Sequence, residues 1–159
     1  MTRVNRTVRG RFTRAVTGTA RPPYNIAMSE PYIAIQVVMM PKDTNPHGTI
    51  FGGVLLANID IAGAIAARRE VLLRGGNPDA AFVTVAFNRV EFKKPVLVGD
   101  VVKFQTTLVK MGRTSVTMHI DVIAERGAET VHVTEAEAVF VGVDVSTPDR
   151  KPVVLFPNT

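Results

Sequence analysis

The sequence predicts an α+β domain in which one long helix packs on a curved antiparallel sheet of about five strands. Three observations carry this. Residues 51–67 form an apolar run broken only by Asn58 and Asp60, long enough for a helix that is apolar on nearly every side. Four segments rich in β-branched residues follow it, with connections short enough to make neighbouring strands antiparallel. One further strand precedes it.

The first strand is expected over residues 32–40, and Pro41 ends it. Residues 42–50, Lys-Asp-Thr-Asn-Pro-His-Gly-Thr-Ile, are dense in turn formers and read as a loop. The helix runs from about Gly53 to about Arg74. Arg68, Arg69 and Arg74 suit the negative end of its dipole, and Gly75-Gly76-Asn77-Pro78 stops it. Strands follow at residues 81–92, 101–110, 114–125 and 131–143, joined at Gly99-Asp100, Met111-Gly112-Arg113 and Arg126-Gly127-Ala128. In the fourth strand Thr114, Val116, Met118, Ile120 and Val122 alternate onto one face; Ser115, Thr117, His119 and Asp121 take the other. Pro148, Pro152 and Pro157 make the C-terminal segment irregular.

The 159 residues suit one domain, and a 46% hydrophobic content is ample for its core. No cysteine is present, which excludes disulfides, thiolate catalysis and cysteine-type zinc sites. It also fits a reducing compartment, and a cytoplasmic location is expected. The net charge of +5 comes from Arg3, Arg6, Arg9, Arg11, Arg14 and Arg21, in a stretch of 27 residues without Asp or Glu. Residues 1–27 read as a basic, disordered extension, or as a transit-type or nucleic-acid-contacting segment; residues 28–159 form the domain. The domain is close to neutral, so neither nucleic acid nor membrane is an expected partner.

Asp60 is the only acidic side chain in the apolar run, and a carboxylate in the core must be paired or used. Gly52-Gly53 opens the helix and leaves backbone N–H groups accessible to an incoming oxygen. A carboxylate with a preorganised N–H donor is the minimum equipment for adding water to a carbonyl group. Gly53 lies seven positions before Asp60, or about 10 Å along a helix, so one helix cannot bring both to one carbon atom. A second subunit can supply the other contact. The alternatives are a structural carboxylate capped by Asn58 or a backbone group, an Asn45 that only forms a turn before Pro46, and a double glycine that serves only close packing.

The chain resembles the hotdog fold and, within it, the acyl-CoA thioesterases of the YciA and cytosolic acyl-CoA hydrolase type. The likeness rests on Met40-Pro41-Lys-Asp43-Thr44-Asn45-Pro-His-Gly48-Thr-Ile50-Phe51-Gly52-Gly53, on Asp60 with Ala62-Gly63, on Phe92-Lys-Lys-Pro95-Val-Leu-Val-Gly99-Asp100, and on Lys110-Met-Gly112-Arg113-Thr114-Ser115. It spans about residues 32–144. The resemblance implies hydrolysis of acyl-CoA to a carboxylic acid and CoA, with Asp60 as general base or nucleophile and Asn45 and Gly53 completing the catalytic set. It implies a dimer, with further assembly to a hexamer as a trimer of dimers, and pantetheine threading between subunits.

Recognition of CoA phosphates calls for a cationic rim, for which Lys93, Lys94 and Arg113 are candidates, with Thr114 and Ser115 as donors. His47 is assigned to the entrance and Gly52 and Phe51 to substrate binding; Phe51, Leu55 and Ile59 are candidates for part of the acyl tunnel, with core packing as the default for each. No cofactor is expected beyond the CoA of the substrate. No metal is expected either, because the three histidines show no ligand spacing with a carboxylate pair; His119 and His132 read as ordinary strand residues. Two other functions fit the same fold: an acyl-CoA binder without turnover, and an enoyl-thioester hydratase or dehydratase using His47 and Asp60.

Overall fold

A computed structural model describes residues 30–157. The basic segment 1–27 lies outside the described residues. The elements are β1 (Tyr32–Val38), a 3-10 turn (Pro41–Asp43), α1 (Gly52–Leu73), β2 (Ala81–Phe92), β3 (Val101–Met111), β4 (Ser115–Arg126) and β5 (Glu129–Val143). The bounds of β2 match the sequence reading. β1 stops two residues early, β3 gains Met111, β4 begins at Ser115 and β5 begins at Glu129.

The five strands form one antiparallel sheet in the order β1-β3-β4-β5-β2. β1 and β2, the two strands joined through α1, therefore occupy opposite edges. The helix crosses the inner face between them, and the sheet wraps it. Alternation in β3 and β4 sends Val102, Phe104, Val116, Met118, Ile120 and Val122 inward, where they are fully buried. The opposing helix stripe is Leu55, Ile59, Ala62, Gly63, Ala66, Ala67 and Val71. Its small residues let the helix sit low on the sheet. The Phe140 ring from β5 occupies the space where a side chain on Gly63 would stand.

The helix stop is built as the double glycine implies. Gly75 adopts φ +71°, its N–H reaches the Leu72 carbonyl at 3.0 Å, and the Gly76 N–H reaches the Val71 carbonyl at 2.9 Å. That is a Schellman motif, which satisfies carbonyls the helix would otherwise leave open. Glu70 is only 3% exposed and is held by Arg69 at 2.9 Å and by Arg74. Asp100 is also buried. Both its oxygens accept from Arg126, at 2.9 and 2.8 Å, and the Leu97 N–H adds a bond of 2.9 Å. The Arg126 hydrogen bond is the main reason the Asp100 carboxyl is held below the usual carboxylate range.

Within one chain the helix is not covered on every side. Ile61, Ile65, Leu72 and Leu73 face outward, Ile61 at 52% exposure. The sheet covers one face of α1 only, and an apolar opposite face is what remains when a single sheet must cover an all-round apolar helix.

Candidate active site

Asp60 lies midway along α1, three residues before Gly63. It is half-buried rather than sealed in the core. Its Oδ1 accepts a hydrogen bond from the Thr84 hydroxyl of β2. Asn58 does not cap it; the Asn58 amide donates instead to the Val54 carbonyl at 2.9 Å. Among the described residues the carboxylate is thus paired with a neutral donor, not with a cation, and its second oxygen is left for another contact. Thr84 immediately precedes a bulge in β2, where the pairing steps from Thr84–Phe140 to Ala86–Val139. Bulges re-aim side chains at sheet edges and beside reactive groups.

Thr84 was not found from the sequence. It stands 24 residues beyond Asp60, and only the packing of α1 on the β2 edge brings them together.

The loop before the helix is self-bonded. Asn45 Oδ1 accepts from the His47 N–H at 2.9 Å and the Thr49 N–H at 3.3 Å, while its Nδ2 donates to the Thr49 hydroxyl at 2.8 Å. Gly48 makes the turn with φ +79°. An Asx turn of this kind fixes the loop and leaves one Nδ2 proton unspent. His47 is exposed at the loop tip. The Phe51 N–H bonds the Asp43 carbonyl at 2.8 Å, which anchors the start of α1. Among the described residues, no backbone carbonyl takes the N–H of Gly52 or Gly53, so both point out of the helix end as free donors.

Phe51 lies against Gly53, and the Phe92 ring lies against Gly52, so two aromatic rings flank those donors. Phe51 is 58% exposed, consistent with a surface that awaits cover. Leu55 and Ile59, by contrast, are 2% and 0% exposed and belong to the core. Core packing, the default for both, is what the structure shows: they sit on the sheet side of α1, opposite its open face.

The cationic candidates do not converge within one chain. Lys93 pairs with Glu135 at 2.9 Å on the outer face of the sheet. Lys94 is exposed, beside the residues that lead to the helix start; its N–H bonds Val133 at 3.2 Å, and the neighbouring Val96 carbonyl accepts the Ile50 N–H at 2.8 Å. Arg113, Thr114 and Ser115 lie at the other end of β3, about 34 Å away along an 11-residue strand. There the Arg113 carbonyl accepts from Leu155 at 2.9 Å and the Thr114 carbonyl from Gly142 at 2.9 Å. The Arg113 side chain is exposed and has no ion pair among the described residues.

The histidines do come within ligand distance of carboxylates: His119, Asp121 and Glu135 cluster on the outer face, and His132 reaches Asp121. Sequence spacing hid this because the contacts cross between β4 and β5.

A family model described as the thioesterase superfamily matches residues 47–131. The acyl-CoA thioester hydrolase YciA of Salmonella typhimurium is 38% identical over 125 residues, which are 76% of this chain and 86% of that one. The hexameric thioesterase y2039 of Yersinia pestis is 35% identical, with a TM-score of 0.69 over 80% of this chain and 97% of its own. An acyl-CoA hydrolase of Staphylococcus aureus, solved with butyryl coenzyme A and coenzyme A, is 26% identical, with a TM-score of 0.64 over 77% and 70%. That enzyme has also been solved with one aspartate, and with one asparagine, replaced by alanine; the two lie fifteen positions apart. Asn45 and Asp60 are separated by the same fifteen positions.

Proposed function

The chain belongs to the thioesterase superfamily and, within it, to the YciA-type acyl-CoA thioester hydrolases, and from that premise we propose that it hydrolyses acyl-CoA with Asp60 as general base. The observation that carries this reading is the half-open Asp60 carboxylate, held by the Thr84 hydroxyl beside an apolar helix face. A carboxylate with one oxygen anchored and the other open can orient a water and take its proton as the water attacks the thioester carbon. The carbonyl oxygen then becomes an oxyanion, and the free N–H groups of Gly52 and Gly53 at a helix N-terminus are suited to receive it. Collapse of the tetrahedral intermediate expels the CoA thiolate, and the carboxylic acid leaves. Asn45 fixes the loop that sets the entry of α1, and its remaining Nδ2 proton is placed to touch substrate. Thr84 is a positioning residue.

Each protomer holds only part of the equipment. Gly53 and its own Asp60 are about 10 Å apart along one helix axis. Lys94 and Arg113 occupy opposite ends of the sheet. Two protomers joined along the exposed β2 edge, where Val85 and Phe87 stand open, would bring Asp60 of one chain opposite Gly53 of the other. His47, Phe51 and Lys94 would then border the entrance, with Arg113, Thr114 and Ser115 contributed from a neighbouring chain to the CoA phosphates. Hexamers like that of the Yersinia pestis relative would follow by assembly of three such dimers.

The test is release of CoA thiol from acyl-CoA, read with a thiol reagent; the chain has no cysteine to contribute background. Asp60→Asn is expected to lower kcat by at least ~100-fold with the fold retained. Near-normal kcat in that variant would remove Asp60 from the chemistry.

A further inference from the structure

The outer face of the sheet, turned away from α1, carries a constellation that the thioester chemistry does not use. His119 and Asp121 stand two residues apart on β4, so both point outward. Glu135 of β5 lies directly opposite Asp121. Simple alternation from Glu135 would turn Val133 outward and His132 inward. A bulge prevents this: Val122 faces Thr134, but the next residue, Ile123, faces His132. Val133 and Thr134 are both buried as a result, and His132 swings onto the outer face.

The bulge is fastened from β2 and the residues after it. The Val133 carbonyl accepts the Lys93 N–H at 2.8 Å and the Lys94 N–H at 3.2 Å, and the Thr134 hydroxyl donates to the Glu91 carbonyl.

The outcome is two imidazoles aimed at one carboxylate. His132 Nε2 is 3.0 Å from Asp121 Oδ1, and His119 Nε2 is 3.2 Å from Asp121 Oδ2. Ligand atoms of His119, Asp121 and Glu135 lie within 4.8 Å of one another. Metal–ligand bonds of 2.0–2.1 Å in a tetrahedral zinc site place neighbouring ligand atoms about 3.4 Å apart. The His119–Asp121 separation is close to that, and Glu135 lies within 4.8 Å of both, so a bound ion requires side-chain movements of about an ångström. Each of the four side chains is between about a quarter and two-fifths exposed, which leaves a path for entry.

We propose that His119, Asp121 and Glu135 form a binding site for a divalent transition-metal ion, with Zn2+ the best-matched cation and His132 a neighbour that holds Asp121 in place. An imidazole nitrogen with carboxylate oxygens suits zinc and its neighbours, whereas calcium and magnesium select all-oxygen sets. The ion would staple β4 to β5 beside the bulge. It takes no part in hydrolysis, because the cluster and Asp60 lie on opposite faces of the sheet. One group competes with it: Lys93 Nζ holds Glu135 Oε2 at 2.9 Å. That ion pair is the main reason the Glu135 carboxyl lies below the usual range, with His119 and Arg89 adding to it.

The test uses the full chain, freed of any affinity tag and stripped with a chelator, titrated with zinc chloride by calorimetry and followed by thermal melting. The wild type is expected to bind one Zn2+ per chain and to melt at higher temperature with zinc. His119→Ala is expected to weaken binding at least ~10-fold while the metal-free melting temperature and thioesterase turnover stay at wild-type values. Lys93→Ala removes the competing ammonium and is expected to tighten binding several-fold. Absence of saturable zinc binding in the wild type would overturn the site, as would undiminished binding in the His119→Ala chain. The hydrolase reading stands or falls separately, on the Asp60 variants.

Discussion

Chains carrying Asp60→Asn and chains carrying Gly53→Pro are each expected to be nearly inactive, and together to recover about a quarter of wild-type turnover. The reasoning starts from the helix axis. Asp60 stands two turns from Gly53, about 10 Å away at 1.5 Å per residue, too far for both to meet the reacting carbon of one thioester. A complete site therefore draws the carboxylate from one chain and the N–H donor from the other. Proline deletes the Gly53 donor without breaking the helix, because the first turn makes no use of that N–H. A Cβ at this position meets the Phe51 ring, which is exposed enough to move. Loss of one oxyanion donor costs about 100- to 1,000-fold in kcat.

In a mixed dimer, one site collects both lesions and the other has neither. Random pairing makes about half the dimers mixed, each with one intact site of two, hence the quarter. The assay is thiol release from acyl-CoA by co-expressed chains with two different tags, captured sequentially to isolate mixed assemblies, which in a hexamer of three randomly paired dimers should keep about a quarter of wild-type turnover. A mixed sample no more active than its two parents would refute the shared site.

Other expectations follow from single contacts. Thr84→Val keeps the shape and removes the hydroxyl that anchors Asp60; a hydrogen bond to a charged group is worth about 1.5–3 kcal/mol, so kcat should fall at least tenfold with KM little changed. An unchanged kcat would leave Thr84 with no part in holding Asp60. Asp100→Asn leaves the Arg126 guanidinium, itself a third exposed, without its anion and should cost about 1–3 kcal/mol in denaturant unfolding. In the native protein the Asp100 carboxyl lies lower than in the unfolded chain. Its stabilising share is therefore fully present above about pH 4 and drains away on further acidification; the Asn variant should lose that part of the acid sensitivity in stability measured against pH. Gly63→Ala forces the Phe140 ring out of its place and should destabilise by about 1–3 kcal/mol, read as a lower melting temperature.

The parts of the molecule legible in the sequence are those set by local rules. The alternation of Val116, Met118, Ile120 and Val122, the turn glycines and the Gly75-Gly76 stop define elements without reference to anything distant. Asp60 was legible because one acid in an apolar helix has to be explained. Its setting was not. Burial of a helix depends on how many sides are covered, and one chain covers α1 on the sheet side only, so Asp60 is half-open and Leu55 and Ile59 are core. Thr84 and Glu135 were hidden for a different reason. Their neighbours are set by strand order and register, and two bulges shift the parity on which a strand's facing is read. His132 is the clearest case, since a single extra residue in β5 reverses the direction that alternation assigns to it.

The notch at Gly63, filled by the Phe140 ring, has a bearing on how this scaffold can diverge. An aromatic ring seated in a gap along the rod acts as a detent: α1 cannot slide lengthwise over the strands without first lifting out of it. Asp60 lies less than one turn from that stop, so the depth at which it meets a carbonyl is set by the fold and not by the ligand. Adaptation to longer or shorter acyl groups is therefore confined to side chains ahead of the stop and on the uncovered flank, while the reacting point stays where the detent holds it.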